Sequence, residues 1–290
     1  MNGIININKP KGITSFDVVR IIKKTINMKK VGHTGTLDPM AEGVLPICIG
    51  KGTKFSELIM SEEKIYRAEM KLGEITDTYD IEGEVTETFD FSHVTQEEVV
   101  NVVNSFIKTY EQIPPIYSAI KVAGKHLYEY AREGKEVEIK ARKITIHNIS
   151  NVEVNIPYIK FDVKCSKGTY IRSLCFDIGK ELNSGGVMTS LTRLKSGIFN
   201  IEDSIDLNGI QRDDILNNII SIEEIFSKLN ELNLNEKFSK LVCNGVMVKD
   251  KALISSLKKN QAYRVYDFEG QFIGLGALGE DGFKIFKRYS

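Results

Sequence analysis

Residues 32–45 read GHTGTLDPMAEGVL, a glycine-rich loop that leads into an apolar run. Glycine permits positive φ and lets a backbone approach a ligand closely. Asp38 precedes Pro39, which disfavours the α region for the aspartate and favours an extended conformation. The stretch therefore predicts a rigid loop that presents one carboxylate, followed by a buried strand. The alternative is an Asp-Pro turn whose side chain only caps its own backbone.

The chemistry open to this loop is narrowed by the motifs that the sequence lacks. No G-K-[ST] closes the loop as in a Walker A phosphate site, and no G-x-S-x-G nucleophile elbow occurs. The histidines are too scattered for an H-x-x-x-H zinc site, and no C-x-x-C pair is present. Glu42 follows Asp38 too closely for the carboxylate pair of a glycosidase to be evident. We therefore expect no metal and no cofactor.

Length and composition indicate a globular protein. A chain of 290 residues suffices for one large or two ordinary domains, and 42% hydrophobic with 27% charged residues is typical of a soluble fold. No apolar run approaches the ~18 residues that a membrane span needs. The start, MNGIININKPKG, lacks the charged region and long apolar core of a secretory signal. A cytoplasmic location without membrane contact is expected.

The formal net charge of zero argues by itself against nucleic-acid binding, yet the charges are segregated. Residues 1–60 carry nine Lys/Arg against four Asp/Glu, whereas residues 61–100 carry three against twelve. A neutral protein with such blocks can present one basic face to phosphates. Charge alone leaves this interpretation and an ordinary solvated surface open.

The hydrophobic pattern predicts an α+β fold. Residues 64–73, KIYRAEMKLG, alternate strictly, which places Tyr66 on the apolar face of a strand. Strands and helices are interspersed without a regular βαβ repeat, so the sheet should be mixed or mainly antiparallel. The other main elements are predicted as helices over 14–26, 95–110 and 168–182, strands over 136–149, 151–156 and 158–166, and a hairpin over 76–88.

The C-terminal part has a different character. Residues 203–235 are polar and are predicted to be helical, and a short segment rich in strand signals follows them. Glu269-Gly270 and Asp281-Gly282 are typical hairpin turns within that segment. We therefore expect two domains, residues 1–230 and residues 231–290, the second of them small and β-rich.

Several segments resemble one known family. NKPKGITS, GHTGTLDPMAEGVLP, YRAEMKLG, IPPIYSAIKVAGKHLYEYAR and CSKGTYIRSL are similar, in order and spacing, to the bacterial tRNA pseudouridine-55 synthases of the TruB family. The terminal YRVYDFEGQFIGLGAL is similar to the small PUA-type RNA-binding domain of these enzymes. The resemblance covers almost the whole chain. It implies a pseudouridine-synthase domain with a mixed, mainly antiparallel sheet flanked by helices, followed by the PUA-type domain.

The resemblance also implies an activity and a partner. The chain would isomerise uridine 55 in the T-arm loop of tRNA to pseudouridine, without a cofactor, a guide RNA or a protein partner, and would act as a monomer. Uridine isomerisation detaches the uracil from C1′ of the ribose, turns it and rejoins it through C5. An RNA-binding tRNA folding factor, and an isomerase of a uridine in another RNA, are the alternatives.

Three catalytic residues follow from the resemblance. Asp38 would be the nucleophile that attacks C1′ or C6, the two routes being equally open. Tyr66 would stack on the flipped uracil, although plain core packing also suits its strand position. An aspartate in an apolar pocket tends to protonate, and Arg172 would keep Asp38 ionised. An arginine in a surface salt bridge is the alternative for Arg172.

Four further residues are implied to bind the substrate. His33 would contact the RNA loop and help to extrude the target, unless it only caps the turn. Tyr170 and Leu191 would be apolar pocket positions, for which core packing is the alternative. Lys9 would hold the Asp38 loop or reach a phosphate. Val187 and Thr192 depart from the commoner family pattern near the expected RNA surface, so we expect altered local RNA contacts there.

Overall fold

The computed structural model describes residues 1–289. Its strands are β1 (Gly3–Lys9), β2 (Val31–His33), β3 (Glu42–Ile49), β4 (Lys64–Leu72), β5 (Glu74–Thr76), β6 (Val85–Thr88), β7 (Thr109–Gln112), β8 (Lys121–Val122), β9 (Lys125–His126), β10 (Arg142–Asn155), β11 (Tyr158–Cys165), β12 (Gly186–Ser196), β13 (Phe199–Asn200), β14 (Ile205–Asp206), β15 (Asn230–Asn233), β16 (Ala262–Tyr266), β17 (Phe272–Leu278) and β18 (Phe283–Arg288). Its α-helices are α1 (Ser15–Ile26), α2 (Ser56–Met60), α3 (Gln96–Ser105), α4 (Leu127–Arg132), α5 (Ile171–Glu181), α6 (Arg212–Asn217), α7 (Ile222–Ile225), α8 (Glu236–Cys243) and α9 (Lys251–Ile254).

One large sheet carries the first part of the chain. Its strands follow the order β14-β1-β3-β12-β4-β11-β10-β7, with β2 beside β3 and β13 beside β12. The pairs β1/β14 and β3/β12 are parallel, and the other pairs are antiparallel. The predicted mixed, mainly antiparallel sheet is confirmed. The order also brings β12, which comes late in the chain, between the early strands β3 and β4.

β1 and β3 are buried on both faces, which explains their nearly continuous apolar sequence. Ile5 and Ile7 point into a main core, whereas Ile4 points into a second core on the opposite face. β3 divides in the same way, with Leu45 in the main core and Val44 in the second. A strand covered on both sides reads as a run of apolar residues and loses its alternation.

The helices of the main core begin where the sequence predicts. Thr14 caps α1 in a capping box with Asp17, and Thr95 caps α3 in a second box with Glu98. α5 begins a short turn after β11. It packs against β12, one of the central strands of the sheet. The predicted hairpin over 76–88 is also present, as the pair β5/β6.

The helix predicted over 95–110 ends at Ser105, because residues 109–112 form β7 and pair with β10. Two further predictions of local structure are wrong. The strands predicted over 136–149 and 151–156 form one strand, β10, that begins only at Arg142, because its partner β7 ends at Gln112. Residues 203–235 contain only two short α-helices, α6 and α7, together with two strands. Tertiary pairing explains the second error, since this segment runs along β1 and the amide of Ile4 donates to the carbonyl of Ile220 at 2.9 Å.

The C-terminal part forms a separate sheet of order β15-β16-β17-β18. The predicted hairpin turns at Glu269-Gly270 and Asp281-Gly282 are confirmed as the links of β16/β17 and β17/β18. This β-rich part is consistent with a PUA-type domain. One edge of it completes the second core, where Tyr266, Phe272 and Leu275 pack with residues of β1 and β3. None of the helices within residues 1–289 combines the length and the apolar character of a membrane-crossing helix.

Candidate active site

The loop over residues 34–41, here called the Asp38 loop, is held from both ends. It joins β2 and β3, which pair with each other. At the start of α1, the Ser15 hydroxyl accepts from the amide of Leu37 at 2.8 Å and donates to the carbonyl of Leu37 at 3.0 Å. The amide of Ala41 donates to the Asp38 carbonyl at 3.1 Å. These contacts hold the backbone on both sides of Asp38, in agreement with the rigid loop that the sequence predicts.

Lys9 lies beneath the Asp38 loop and is completely buried. Its Nζ donates to the carbonyls of Ala41 at 2.7 Å, Pro10 at 2.9 Å and Pro39 at 3.4 Å. Burial lowers the pKa of Lys9 to about 8. Of the two roles open from the sequence, these contacts support holding the loop, because a phosphate contact needs an exposed ammonium group.

Arg172 connects Asp38 to two other segments. It is the second residue of α5 and is only 5% exposed, so the alternative of a surface arginine is wrong. Its Nε lies 3.0 Å from Oδ2 of Asp38, and its Nη1 lies 3.3 Å from Oδ2 of Asp80. Nη1 also donates to the Thr78 carbonyl at 3.1 Å, and Nη2 to the Tyr117 carbonyl at 2.9 Å. The guanidinium therefore has a single well-defined position.

Asp80 is a site residue that the sequence does not reveal. It follows β5 in a segment that reads as an ordinary polar turn, yet it is 4% exposed. The Thr78 hydroxyl donates to its Oδ1 at 2.7 Å, and the amide of Glu82 donates to the same oxygen at 3.1 Å. Arg172 thus lies between two carboxylates, and only that of Asp38 is directed to open space.

The electrostatics of Asp38 reflect opposing influences. Burial raises the pKa of the Asp38 carboxyl above its ordinary value, and the charge of Asp80 raises it further. The charges of Arg172 and, more weakly, Lys9 lower this pKa, without cancelling the effect of burial. The side chain of Asp38 keeps 34% of its surface open, so water still reaches the carboxylate and moderates the burial effect. Arg172 therefore favours the ionised form of Asp38 against the effect of burial.

A cavity of about 690 Å³ opens above Asp38. Apart from Lys9, every site residue predicted from the sequence lines it: His33, Asp38, Tyr66, Tyr170, Arg172 and Leu191. These residues come from β2, the Asp38 loop, β4, the turn before α5, α5 itself, and β12. The sheet order brings them together, because β12 and β4 are neighbours and the Asp38 loop leads into β3 on the other side of β12.

Tyr66 lies on β4 with Ala68, Met70 and Leu72 on the same face, as the alternation predicts. These three neighbours are fully buried in the main core, whereas the Tyr66 ring reaches the cavity wall. Burial raises the pKa of the Tyr66 phenol, and the charge of Arg193 offsets part of that rise. Tyr66 is therefore a neutral phenol near pH 7, suited to stacking on a base.

Arg193 is the second residue that sequence reasoning missed. It is 1% exposed, and no carboxylate within residues 1–289 lies at ion-pair distance from it. Its Nε donates to the Val44 carbonyl at 2.6 Å, and its Nη2 lies 3.4 Å from the Gly35 carbonyl. The sequence does indicate that Arg193 is buried, because it follows Leu191 by two residues on a strand and therefore shares its buried face.

The remaining pocket residues combine structural contacts with access to the cavity. Nδ1 of His33 accepts from the amide of Gly35 at 3.3 Å, so the imidazole does cap the turn. Burial and the charge of Arg193 lower the pKa of His33, which keeps the ring neutral near pH 7. Gln112 fixes the backbone of Tyr170, accepting from its amide at 2.9 Å and donating to its carbonyl at 3.1 Å.

The two departures from the family pattern have different surroundings. Val187 is fully buried in β12, so the expectation that it lies on an RNA-facing surface is wrong. Thr192 is half-buried, and its hydroxyl donates to Oε1 of Glu42 at 3.1 Å. Its hydroxyl therefore pairs with the end of the Asp38 loop.

Solved structures share this fold. The chain is similar to a component of a Cbf5-Nop10-Gar1 complex, with a TM-score of 0.72, 25% identity and coverage of 99% of this chain and 85% of that one. It is also similar to a chain of an H/ACA RNP bound to a substrate RNA containing 2′-deoxyuridine, with a TM-score of 0.70, 23% identity and the same two coverages. At this identity the second likeness concerns the fold alone.

Sequence comparisons define the class of protein, a pseudouridine synthase. The model of the TruB family pseudouridylate synthase (N terminal domain) matches residues 23–171. The tRNA pseudouridine synthase B of Clostridium tetani is 56% identical over 99% of both chains. That of Clostridium perfringens strain ATCC 13124 is 51% identical over 99% of this chain and 98% of its own. The chain belongs to the TruB family, an isomerase family, as the motifs predict.

Proposed function

We propose that this protein isomerises uridine 55 in the T-arm loop of tRNA to pseudouridine. The observation that carries the proposal is the Asp38–Arg172 ion pair, with an Nε–Oδ2 distance of 3.0 Å, at the wall of a cavity of about 690 Å³. The relatives that span the whole chain bear the name tRNA pseudouridine synthase B, which supports tRNA as the substrate.

The mechanism assigns one role to each group. The target uridine leaves its stack and enters the cavity, where the neutral Tyr66 ring packs against the uracil. The Asp38 carboxylate, kept ionised by Arg172, attacks C1′ or C6 and forms a covalent intermediate. The N1–C1′ bond breaks, the uracil turns, a C5–C1′ bond forms, and the bond between Asp38 and the nucleotide breaks, which regenerates the carboxylate. The proton on C5 leaves and N1 gains a proton, so the reaction has no net redox change and consumes no cosubstrate.

The other residues hold this arrangement in place. Asp80 and the Tyr117 carbonyl fix the Arg172 guanidinium, while Lys9 fixes the backbone that directly follows Asp38. Leu191 and the Tyr170 ring form apolar parts of the wall, and His33 lies at the cavity where it contacts the incoming RNA loop. Such preorganisation keeps the reacting groups within the narrow geometry that nucleophilic attack requires.

The division of labour along the chain is part of the proposal. Residues 1–230 form the catalytic domain, and residues 231–290 form a PUA-type RNA-binding domain. The protein acts in the cytoplasm as a monomer, on the T stem-loop, with neither a guide RNA nor a protein partner. A preassembled cavity with all its groups from one chain supports action without a partner.

The test is incubation with an unmodified tRNA transcript, followed by pseudouridine mapping at single-nucleotide resolution. Product at the T-loop uridine alone is expected. Product at another position would establish the isomerase with a different target, and tRNA binding without any product would indicate an RNA folding factor. Asp38→Asn is the matched control, because it is nearly isosteric and lacks the nucleophile.

A further inference from the structure

The segment between β7 and β8 places Ser118, whose buried hydroxyl is unpaired, in the wall of the cavity. Ser118 is only 5% exposed and lines the same cavity as Asp38. Its Oγ has no hydrogen-bond partner among residues 1–289. Burying a hydroxyl without a partner destabilises a fold, so such an atom calls for an explanation.

The backbone amide and carbonyl of Ser118 are both paired, which leaves its hydroxyl as the unpaired group of this residue. The Ser118 amide donates to the Ile116 carbonyl at 2.9 Å, and its carbonyl accepts from the amide of Tyr128 at 3.2 Å. The preceding carbonyl, that of Tyr117, accepts from Arg172 at 2.9 Å. The guanidinium that contacts Asp38 therefore also fixes the position of Ser118.

The Tyr170 phenol, which lines the same cavity, does not satisfy this hydroxyl. The Tyr170 phenol lies close enough for Ser118 to lower the pKa of that phenol, which burial raises. The two oxygens nevertheless miss the geometry of a hydrogen bond, since Ser118 Oγ is unpartnered. Two other buried polar atoms in the described chain are also unpartnered, Asn6 Oδ1 and Ser196 Oγ, and neither residue lines the cavity.

We propose that the Ser118 hydroxyl hydrogen-bonds the target nucleotide inside the cavity and so contributes to the choice of substrate. The inference rests on the proposed function, because its ligand is a uridine flipped beside Asp38. A serine hydroxyl both donates and accepts, so the polar edge of uracil and the ribose 2′-hydroxyl are partners of suitable chemistry. A protein group built to pair with a ligand discriminates strongly against an analogue that lacks the matching group.

The experiment compares Ser118→Ala with Ser196→Ala, which removes an equally buried and equally unpartnered hydroxyl outside the cavity. Turnover is followed on a T stem-loop by the release of tritium from C5 of the target uridine. Ser118→Ala should lower kcat/KM about ten- to hundredfold, as expected for the loss of one buried hydrogen bond to substrate. Ser196→Ala should stay within about twofold. Neither variant should lower Tm, since no hydrogen bond of the free protein is lost.

Two further arms identify the bonding partner. If the partner is the ribose, Ser118→Ala should have no added effect on binding of a stem-loop with 2′-deoxyuridine at the target position. If it is uracil, the two changes should weaken binding additively. An effect of Ser118→Ala that disappears in a Tyr170→Phe background would overturn the proposal, because Ser118 would then act only through the tyrosine.

The inference and the proposed function fail in different ways. Wild-type protein without turnover on the stem-loop would overturn the proposed function, and this inference with it. An active wild type whose Ser118→Ala variant stays within twofold would overturn only the inference. A loss of activity that is matched by a fall in Tm would do the same, since it would assign Ser118 a structural role.

Discussion

Replacing Arg172 with methionine removes the cation whose Nε lies 3.0 Å from Asp38 Oδ2. Two unit charges about 3 Å apart attract by about 1.4 kcal/mol in water and by about 5.5 kcal/mol at an effective dielectric constant of about 20. With 34% of its side chain exposed, Asp38 is screened by water in the cavity, so the lower half of that range applies. One pKa unit corresponds to about 1.4 kcal/mol. We therefore expect the Asp38 pKa to rise by about one to two units.

The sign of the pH dependence follows from the form that reacts. Burial already raises the pKa of Asp38, and only its carboxylate is nucleophilic, so activity is lost as pH falls through that pKa. Arg172→Met should therefore be impaired most at acidic and neutral pH and should recover partly as pH rises. Arg172→Lys keeps the charge but not the planar fork, and should show an intermediate rate with a smaller shift. The assay is the single-turnover rate against pH on a stem-loop that stays folded throughout.

Folding must be controlled in this experiment, because Arg172→Met also leaves the buried Asp80 without its cation. Breaking a buried ion pair in this way costs about 3–5 kcal/mol. The double variant Arg172→Met/Asp80→Asn removes the stranded charge, and Asp80→Asn alone is its reference. If the folded double variant loses the same factor of rate at every pH, Arg172 does not act through ionisation. It would then be a positioning residue, and the electrostatic account of the site would be wrong.

Three further outcomes are expected. Asp38→Asn should abolish turnover while stem-loop binding stays within about tenfold, about 1.4 kcal/mol; measurable single-turnover product would contradict the assignment of the nucleophile. Turnover on a short stem-loop should persist within about twofold in excess EDTA, and a loss that zinc or magnesium restores would reveal a metal site. Deleting residues 231–290 should raise KM about tenfold or more with a smaller change in kcat, because the lost contacts stabilise the bound substrate and the transition state equally. It should also lower Tm, because Phe55 loses its apolar cover; an unchanged KM with a collapsed kcat would contradict this division of labour.

The sequence predicts local features well where a short pattern determines them. The alternation of KIYRAEMKLG gives the face of Tyr66, and the threonines at 14 and 95 give the starts of two helices. The Asp38 loop is predicted as a rigid glycine-rich loop. The part of Lys9 in holding it is implied only by the family resemblance, and the contacts of Ser15 are not evident from the sequence. Each of these successes depends on residues that lie close together in the chain.

The rest of the site depends on long-range packing. Asp80 reads as a turn residue, and only the buried Arg172 from α5 gives it a role. Arg193 has a local signal, a cation on the buried face of a strand, but its carbonyl partners Val44 and Gly35 lie 149 and 158 residues earlier in the chain. Ile205 and Ile220 look helical by local propensity and instead run along β1. Propensity is a weak prior that such pairing overrides.

The position of β12 has a consequence for how the protein is made. This strand comes late in the chain, yet it separates β3, which follows the Asp38 loop, from β4, which carries Tyr66. During synthesis Asp38 and Tyr66 therefore belong to two parts of the sheet that do not pair with each other, until residues 186–196 leave the ribosome and join them. Pairings between distant segments form slowly. A chain that lacks β12 therefore has no assembled site. Activity can appear only after β12 has paired in register with both β3 and β4.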